Sequence, residues 1–155
     1  MDDMGIDKAD ILGFSDGGNI ALTFALRNPH RVSKLILNGA NLSPDGVKRN
    51  VQRPIELGYK IASFFARFSR KAKANAEMLG LMVNEPDIPA ESLKELKIPT
   101  LVIVGENDMI KESHSLTIAR SIPGAVFRKI PGDHFIAYNN SAAFNVAVEG
   151  FLMSR

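Results

Sequence analysis

The chain alternates short, wholly apolar runs with longer stretches in which apolar residues recur every three or four positions. Ala9 to Phe14 (ADILGF) is the first short run, and a run this brief, bounded by turn residues, reads as a buried strand. It breaks at Ser15-Asp16-Gly17-Gly18. Ile20, Leu22, Phe24 and Leu26, with Ala21 and Ala25 between them, are then apolar nearly all round. That pattern predicts a helix burying most of its circumference and stopping at Pro29, which has no N–H to continue it. Leu35-Ile36-Leu37 reads as a second strand, ended by Asn38-Gly39. Strand, tight turn, helix and strand make a βαβ unit with an expected right-handed crossover.

Residues 44–97 change character. Ile61, Phe64, Phe65 and Phe68 recur at helical spacing and predict an amphipathic helix, with a second helix over Ala72 to Val83 and a short helical return over Ser92 to Lys97. Between Asp45 and Lys73 eight Lys/Arg stand against two acids. A solvated helix face accounts for those cations, because no nucleic-acid recognition motif accompanies them. The aromatic positions are expected to pack this excursion onto the body. Alternation then resumes: TLVIV after Pro99 is a wholly apolar strand, Glu112 to Ser121 a helix, and AVFRKI a strand whose two charges suit a sheet edge. Phe144, Val148, Phe151 and Leu152 mark a last amphipathic helix. The fold class is therefore α/β, a parallel sheet of about four strands flanked by helices.

At 155 residues, with 45% hydrophobic and 23% charged positions, the chain suits a single folded domain, 1–155, with 44–97 as an excursion within it. The absence of cysteine excludes disulfides, thiol nucleophiles and thiolate metal sites. Three scattered histidines, His30, His114 and His134, form no metal-ligand spacing, so no metal and no cofactor are expected. A net charge of +2 points to no particular partner. The opening MDDMGIDKAD is acidic and lacks the apolar core of a signal peptide, and no apolar run is long enough to span a membrane. A cytoplasmic protein without nucleic-acid or membrane partners is the expectation.

The chemistry concentrates at the ends of the predicted strands. Gly13-Phe14-Ser15-Asp16-Gly17 is G-x-S-x-G, lodged between a strand and a helix. A serine in so sharp a turn needs small neighbours on both sides, here Gly13 and Gly17, and the turn lifts its Oγ clear of the sheet. Asp108 follows the strand TLVIV and His134 follows AVFRKI. All three stand at C-terminal strand ends, the edge where parallel sheets bind ligands. A serine nucleophile needs a base, and the base needs an acid to orient it. Glu106, on the same strand end as Asp108, is the second choice for that acid, and Asp133 adjoins His134 but is expected to point away. His30 and His114 are read as solvated side chains.

With GFSDGGNIAL, RVSKLILNGA, IPTLVIVGENDMI and IPGDHF in this order, the sequence resembles the α/β-hydrolase superfamily, in particular its small capped esterase-like and peptidase-like members. The resemblance covers essentially the whole chain and implies Ser15 as nucleophile, His134 as general base and Asp108 as its orienting acid. It also implies the backbone N–H of Asp16 as an oxyanion donor and 44–97 as the helical cap. The implied substrate is a small ester or amide. A non-catalytic relative, or a half-fold active only with a partner chain, is the alternative.

Members of that superfamily carry four further strands before the serine turn, so the resemblance is to the C-terminal half of the fold. The loop that supplies a second oxyanion N–H belongs to the other half. The first strand is then expected to be an unguarded edge, closed by a homodimer contact through residues 1–14 or by a complementary N-terminal half-chain.

Overall fold

A computed structural model describes residues 1–154. Its centre is a four-stranded parallel sheet in the order β1 (Ala9–Phe14), β2 (Val32–Asn38), β3 (Thr100–Gly105), β4 (Val126–Ile130). The strands are those the short apolar runs predict. β2 and β3 are buried on both faces, which is why they read as continuous rather than alternating apolar sequence. Leu35, Leu37 and Val102 face one core, shared with α1 (Asp16–Arg27) and with Ile118 and Ile122 at the end of α4 (Glu112–Ser121). Ile36, Leu101 and Ile103 face the other, closed by Ile136 of α5 (Ile136–Asn139) and by Phe144, Val148 and Phe151 of α6 (Ser141–Met153).

Long side chains tie the periphery to this sheet. The Lys34 ammonium donates to the carbonyl oxygens of Phe151, Leu152 and Ser154 at 2.6–3.1 Å, capping the C-terminal end of α6 where helix carbonyls lack partners. The Arg31 guanidinium donates to the Asp7 and Ile6 carbonyls and pairs with Asp2, fastening the first turn beside β2.

Between β2 and β3 the chain leaves the sheet as two antiparallel helices, α2 (Arg49–Phe65) and α3 (Arg70–Asn84), and returns through a 3-10 turn at Ala90–Glu95. Two expectations change here. α2 begins a dozen residues before the Ile61–Phe68 pattern and runs through Pro54, its sixth residue, which has no N–H to give to the Asn50 carbonyl one turn earlier. Phe64, Phe65 and Phe68 do not pack onto the body; all three are exposed. α1 also buries less of its surface than its composition suggests, since Ile20 is exposed while Leu22 and Ala25 are fully buried. Among the described residues no helix is long and apolar enough to cross a membrane.

His114, expected to be solvated, instead fastens the start of the excursion. Its Nε2 accepts the Leu42 N–H at 2.9 Å, and its ring lies so close to Gly46 that a Cβ there would stand 2.7 Å from it. An accepting Nε2 requires a neutral imidazole. Burial, reinforced by the Lys111 charge and only partly opposed by Asp45, holds the His114 pKa below its ordinary value. Because the folded pKa is lowered, the unfolded chain binds the extra proton first. Stability is then complete above the unfolded value near about 6.5 and declines as pH falls from there toward the folded pKa. Melting temperatures measured from pH 7 to pH 5 are expected to drop less steeply for His114→Gln than for the wild type. Parallel slopes would show that His114 is not the group responsible.

Candidate active site

The turn between β1 and α1 carries Ser15 in a backbone conformation that side chains other than glycine rarely adopt, with φ 52° and ψ −121°. Such a residue costs about 1–3 kcal/mol and persists only where its surroundings over-determine it. Here the Ser15 N–H donates to the Asn38 carbonyl on β2 at 2.8 Å, and the Ser15 carbonyl accepts from Gly18 and Asn19 in the first turn of α1. A Cβ on Gly13 would overlap the Gly17 carbonyl and stand 2.6 Å from the Gly18 Cα, and one on Gly18 would lie 2.9 Å from the Ala40 Cβ. The sequence motif points to Gly13 and Gly17 as the small neighbours. The structure requires Gly13 and Gly18, since a Cβ on Gly17 meets nothing within 4 Å.

The three predicted side chains meet. His134 Nε2 lies 2.9 Å from Ser15 Oγ, and its Nδ1 lies 2.7 Å from Asp108 Oδ1. His134 is 4% and Asp108 3% exposed, whereas Ser15 is half-buried at the surface of a cleft. Asp108 Oδ1 also accepts the Ile110 N–H at 2.9 Å, and Oδ2 accepts weakly from Gly105 at 3.4 Å. Burial by itself would raise the Asp108 pKa; the bonds from His134, Ile110 and Gly105 outweigh it, and the carboxyl stays below its ordinary range. An ionised Asp108 fixes the proton on Nδ1 and leaves Nε2 free to accept from the Ser15 hydroxyl.

The competing carboxylates stand elsewhere. Glu106 is exposed, and Asp133 turns away to accept from the Phe135 N–H and the Asn139 amide, capping α5. His30 is exposed, as expected.

Other residues hold the site and are less evident from sequence. Gly39 adopts φ 63° beside the imidazole, where a Cβ would come 2.7 Å from the His134 Cε1, and the Phe14 ring lies 4.9 Å from the imidazole, centre to centre. Asn19 and Asn41, both buried, exchange two hydrogen bonds of 2.8 and 3.1 Å that tie α1 to the loop after β2. The Asn38-Gly39-Ala40-Asn41 run is the only trace of this support in the sequence, and it reads there as an ordinary strand-ending turn.

A cavity of about 300 Å³ opens at Ser15 beneath the α2–α3 pair. Val47, Val51, Ile55, Met78, Leu81, Met82, Met109 and Ile110 give it apolar walls, and its charged lining residues are Asp16 and Glu85, both acidic.

Sequence and structure comparisons support the fold. A family described as alpha/beta hydrolase fold matches residues 1–57. A meta-cleavage product hydrolase from Pseudomonas fluorescens IP01 superposes with a TM-score of 0.72 at 26% identity, over 98% of this chain and 67% of its own. The chain has the α/β-hydrolase fold. The 2-hydroxy-6-oxononadienedioate/2-hydroxy-6-oxononatrienedioate hydrolase of Cupriavidus pinatubonensis is 27% identical over 98% of this chain, and the 2-hydroxymuconate semialdehyde hydrolase of Pseudomonas putida 30% over the same share. The chain spans 64% and 65% of the length of these two relatives.

The glycine geometry carries a direct test. Gly13→Ala is expected to destabilise the protein by roughly 1–3 kcal/mol or more through overpacking, whereas Gly17→Ala should fall within about 0.5 kcal/mol of the wild type. Urea unfolding of the two variants decides it, and equal costs would refute the assignment.

Proposed function

We propose that the protein is a serine hydrolase cleaving a small ester or amide, with Ser15 as nucleophile, His134 as general base and Asp108 as the residue that orients the imidazole. The supporting observation is the continuous hydrogen-bonded line from the Ser15 hydroxyl through both nitrogens of His134 to a buried carboxylate. Attack of Ser15 Oγ on the carbonyl carbon passes the hydroxyl proton to Nε2. The tetrahedral oxyanion forms at the N-terminus of α1, within reach of the Asp16 N–H. Collapse breaks the bond to the leaving alcohol or amine, which takes the proton from Nε2. Water, deprotonated by the same nitrogen, then releases the acid and restores Ser15. A missing second oxyanion donor would cost about 3 kcal/mol in the transition state, slowing the reaction without abolishing it.

The lining of the cavity narrows the substrate. The relatives' names specify a dioate and a semialdehyde, and a dioate would bring carboxylates against Asp16 and Glu85. Apolar acyl or leaving groups suit the surrounding Val, Ile, Leu and Met side chains better. A fluorophosphonate probe is expected to label the wild type and not Ser15→Ala. Turnover of p-nitrophenyl acetate should fall about a thousandfold or more in Asp108→Asn while the circular dichroism spectrum is retained. Labelling that survives Ser15→Ala would refute the nucleophile. An Asp108→Asn variant as active as the wild type would refute the role given to the acid.

We propose also that the open edge of β1 is closed by another strand, from a second copy through residues 1–14 or from a complementary N-terminal half-chain that brings the second oxyanion donor. Among the described residues β1 ends the sheet, Leu12 and Phe14 are exposed, and a shallow cavity of about 260 Å³ lined by Met1, Ile11, Leu12, Ile20 and Phe24 runs beside it. Lysine or proline that would discourage pairing is absent from the Ile11–Phe14 run. Sedimentation across a hundredfold concentration range is expected to give a dimer burying more than roughly 1,000 Å², or a complex with the complementary half-chain. A 16.9 kDa species throughout, with no partner bound, would show that the edge stands open.

A further inference from the structure

The α2–α3 pair presents two apolar faces, and the cavity at Ser15 uses one of them. The other carries Leu57, Ile61, Phe64, Phe65 and Phe68, each between 50% and 73% exposed. Their spacing of three and four residues sets them along one side of α2 and its continuation, so the exposure forms a stripe rather than scattered positions. Isolated exposed apolar residues need no explanation, but a contiguous aromatic stripe of this kind does.

Charge around the stripe indicates what covers it. Residues 49–84 hold seven Lys/Arg (Arg49, Arg53, Lys60, Arg67, Arg70, Lys71, Lys73) and two acids (Glu56, Glu77), an excess of five positive charges. The whole chain is only +2, so the remainder is −3 and the positive charge is concentrated on the two helices. The Arg67 guanidinium stacks over the rings of Phe64 and Phe68 at 5.1 and 5.2 Å, which sets a cation among the aromatics themselves. Two copies meeting through this face would bring ten excess positive charges together. An anionic surface with an apolar interior complements both features at once. Long cationic side chains reach its headgroups while aromatic rings settle at the acyl boundary.

The cavity at Ser15 is itself open to the outside along α3. Met78, Leu81 and Met82 of α3 are about half exposed or more, and they also line the cavity at Ser15. An apolar molecule dissolved in a lipid layer would therefore meet exposed apolar side chains that also line the cavity at the serine.

We propose that the α2–α3 pair is a docking surface for anionic lipid bilayers, held by the Leu57–Phe68 stripe and its flanking cations. This departs from the expectation of no membrane partner, which rested on the lack of an apolar run long enough to span a bilayer.

The test is co-sedimentation of the full chain with vesicles of phosphatidylcholine containing about a quarter phosphatidylglycerol, against pure phosphatidylcholine. Binding to the anionic vesicles is expected to be at least about tenfold stronger and to weaken as salt is raised. Phe64→Ser/Phe65→Ser should remove most of it, and Arg70→Glu/Lys71→Glu/Lys73→Glu should remove the preference for anionic lipid. Both variants alter exposed positions, and their circular dichroism and melting should match the wild type. Three results would overturn the proposal: no partition onto either vesicle, binding that both variants retain, or a concentration-dependent self-association that Phe64→Ser/Phe65→Ser abolishes, which would make the stripe an interface between copies. The readout is binding rather than turnover, so its outcome is separate from that of the serine-hydrolase reading.

Discussion

The site hangs on the distance between the end of β1 and the first turn of α1. The two backbones approach so closely that Gly13 and Gly18 leave no room for a methyl group, and the closeness forces Ser15 into a positive φ. The strain is local, while what holds it is distributed. The Ser15 N–H is committed to β2 through Asn38, and α1 is pinned to the sheet by the fully buried Leu22 and Ala25. Burying two such side chains stabilises by a few kcal/mol, comparable with the cost of the strained residue. The turn therefore persists because relaxing it would lift α1 from the core.

A second pair of elements must then deliver a base to the spot where the turn presents Oγ. Parallel strands make this straightforward, because β1, β3 and β4 all end on the same edge of the sheet and their loops converge there. Convergence alone leaves a loop histidine free to wander. Gly39 and Phe14 both lie close against the imidazole, and the buried Asp108 carboxylate accepts from its Nδ1. Burying that carboxylate is tolerable because His134 and the Ile110 N–H both donate to it, with Gly105 adding a longer bond. The loop after β3 thus folds around its own acid.

The four strands and the meeting of Ser15, Asp108 and His134 were legible in the sequence because each rests on local chemistry: uninterrupted apolar runs for two-sided burial, and polar residues directly after them. The supports were not legible. His114 looks like any helical surface residue, and only the fold brings Leu42, 72 positions away, against its Nε2. Asn19 and Asn41 are 22 residues apart and each is unremarkable alone; their meaning lies in the pairing. Gly17 belongs to the familiar pattern, yet Gly18 is the residue the crossing needs. A pattern records which residues recur together, whereas the steric demand falls on whichever residue meets a close neighbour, here the Ala40 Cβ.

The misreading of the α2–α3 pair has a different origin and explains why that part of the protein departs from simple periodicity. α2 carries two apolar stripes. Val51 and Ile55 face the cavity, while Leu57, Ile61, Phe64 and Phe65 lie on another side of the helix. Hydrophobic periodicity finds the stronger stripe and assigns it to the core, because in an ordinary surface helix the strongest apolar face is the buried one. A helix that roofs a cavity obeys a different constraint. Its inner side must leave space and tolerate the acidic Asp16 and Glu85 beneath it, so large aromatics there would fill the volume a substrate needs. The bulkier side chains are displaced to the outer side, where the cost of exposure is set by what lies against them rather than by the core.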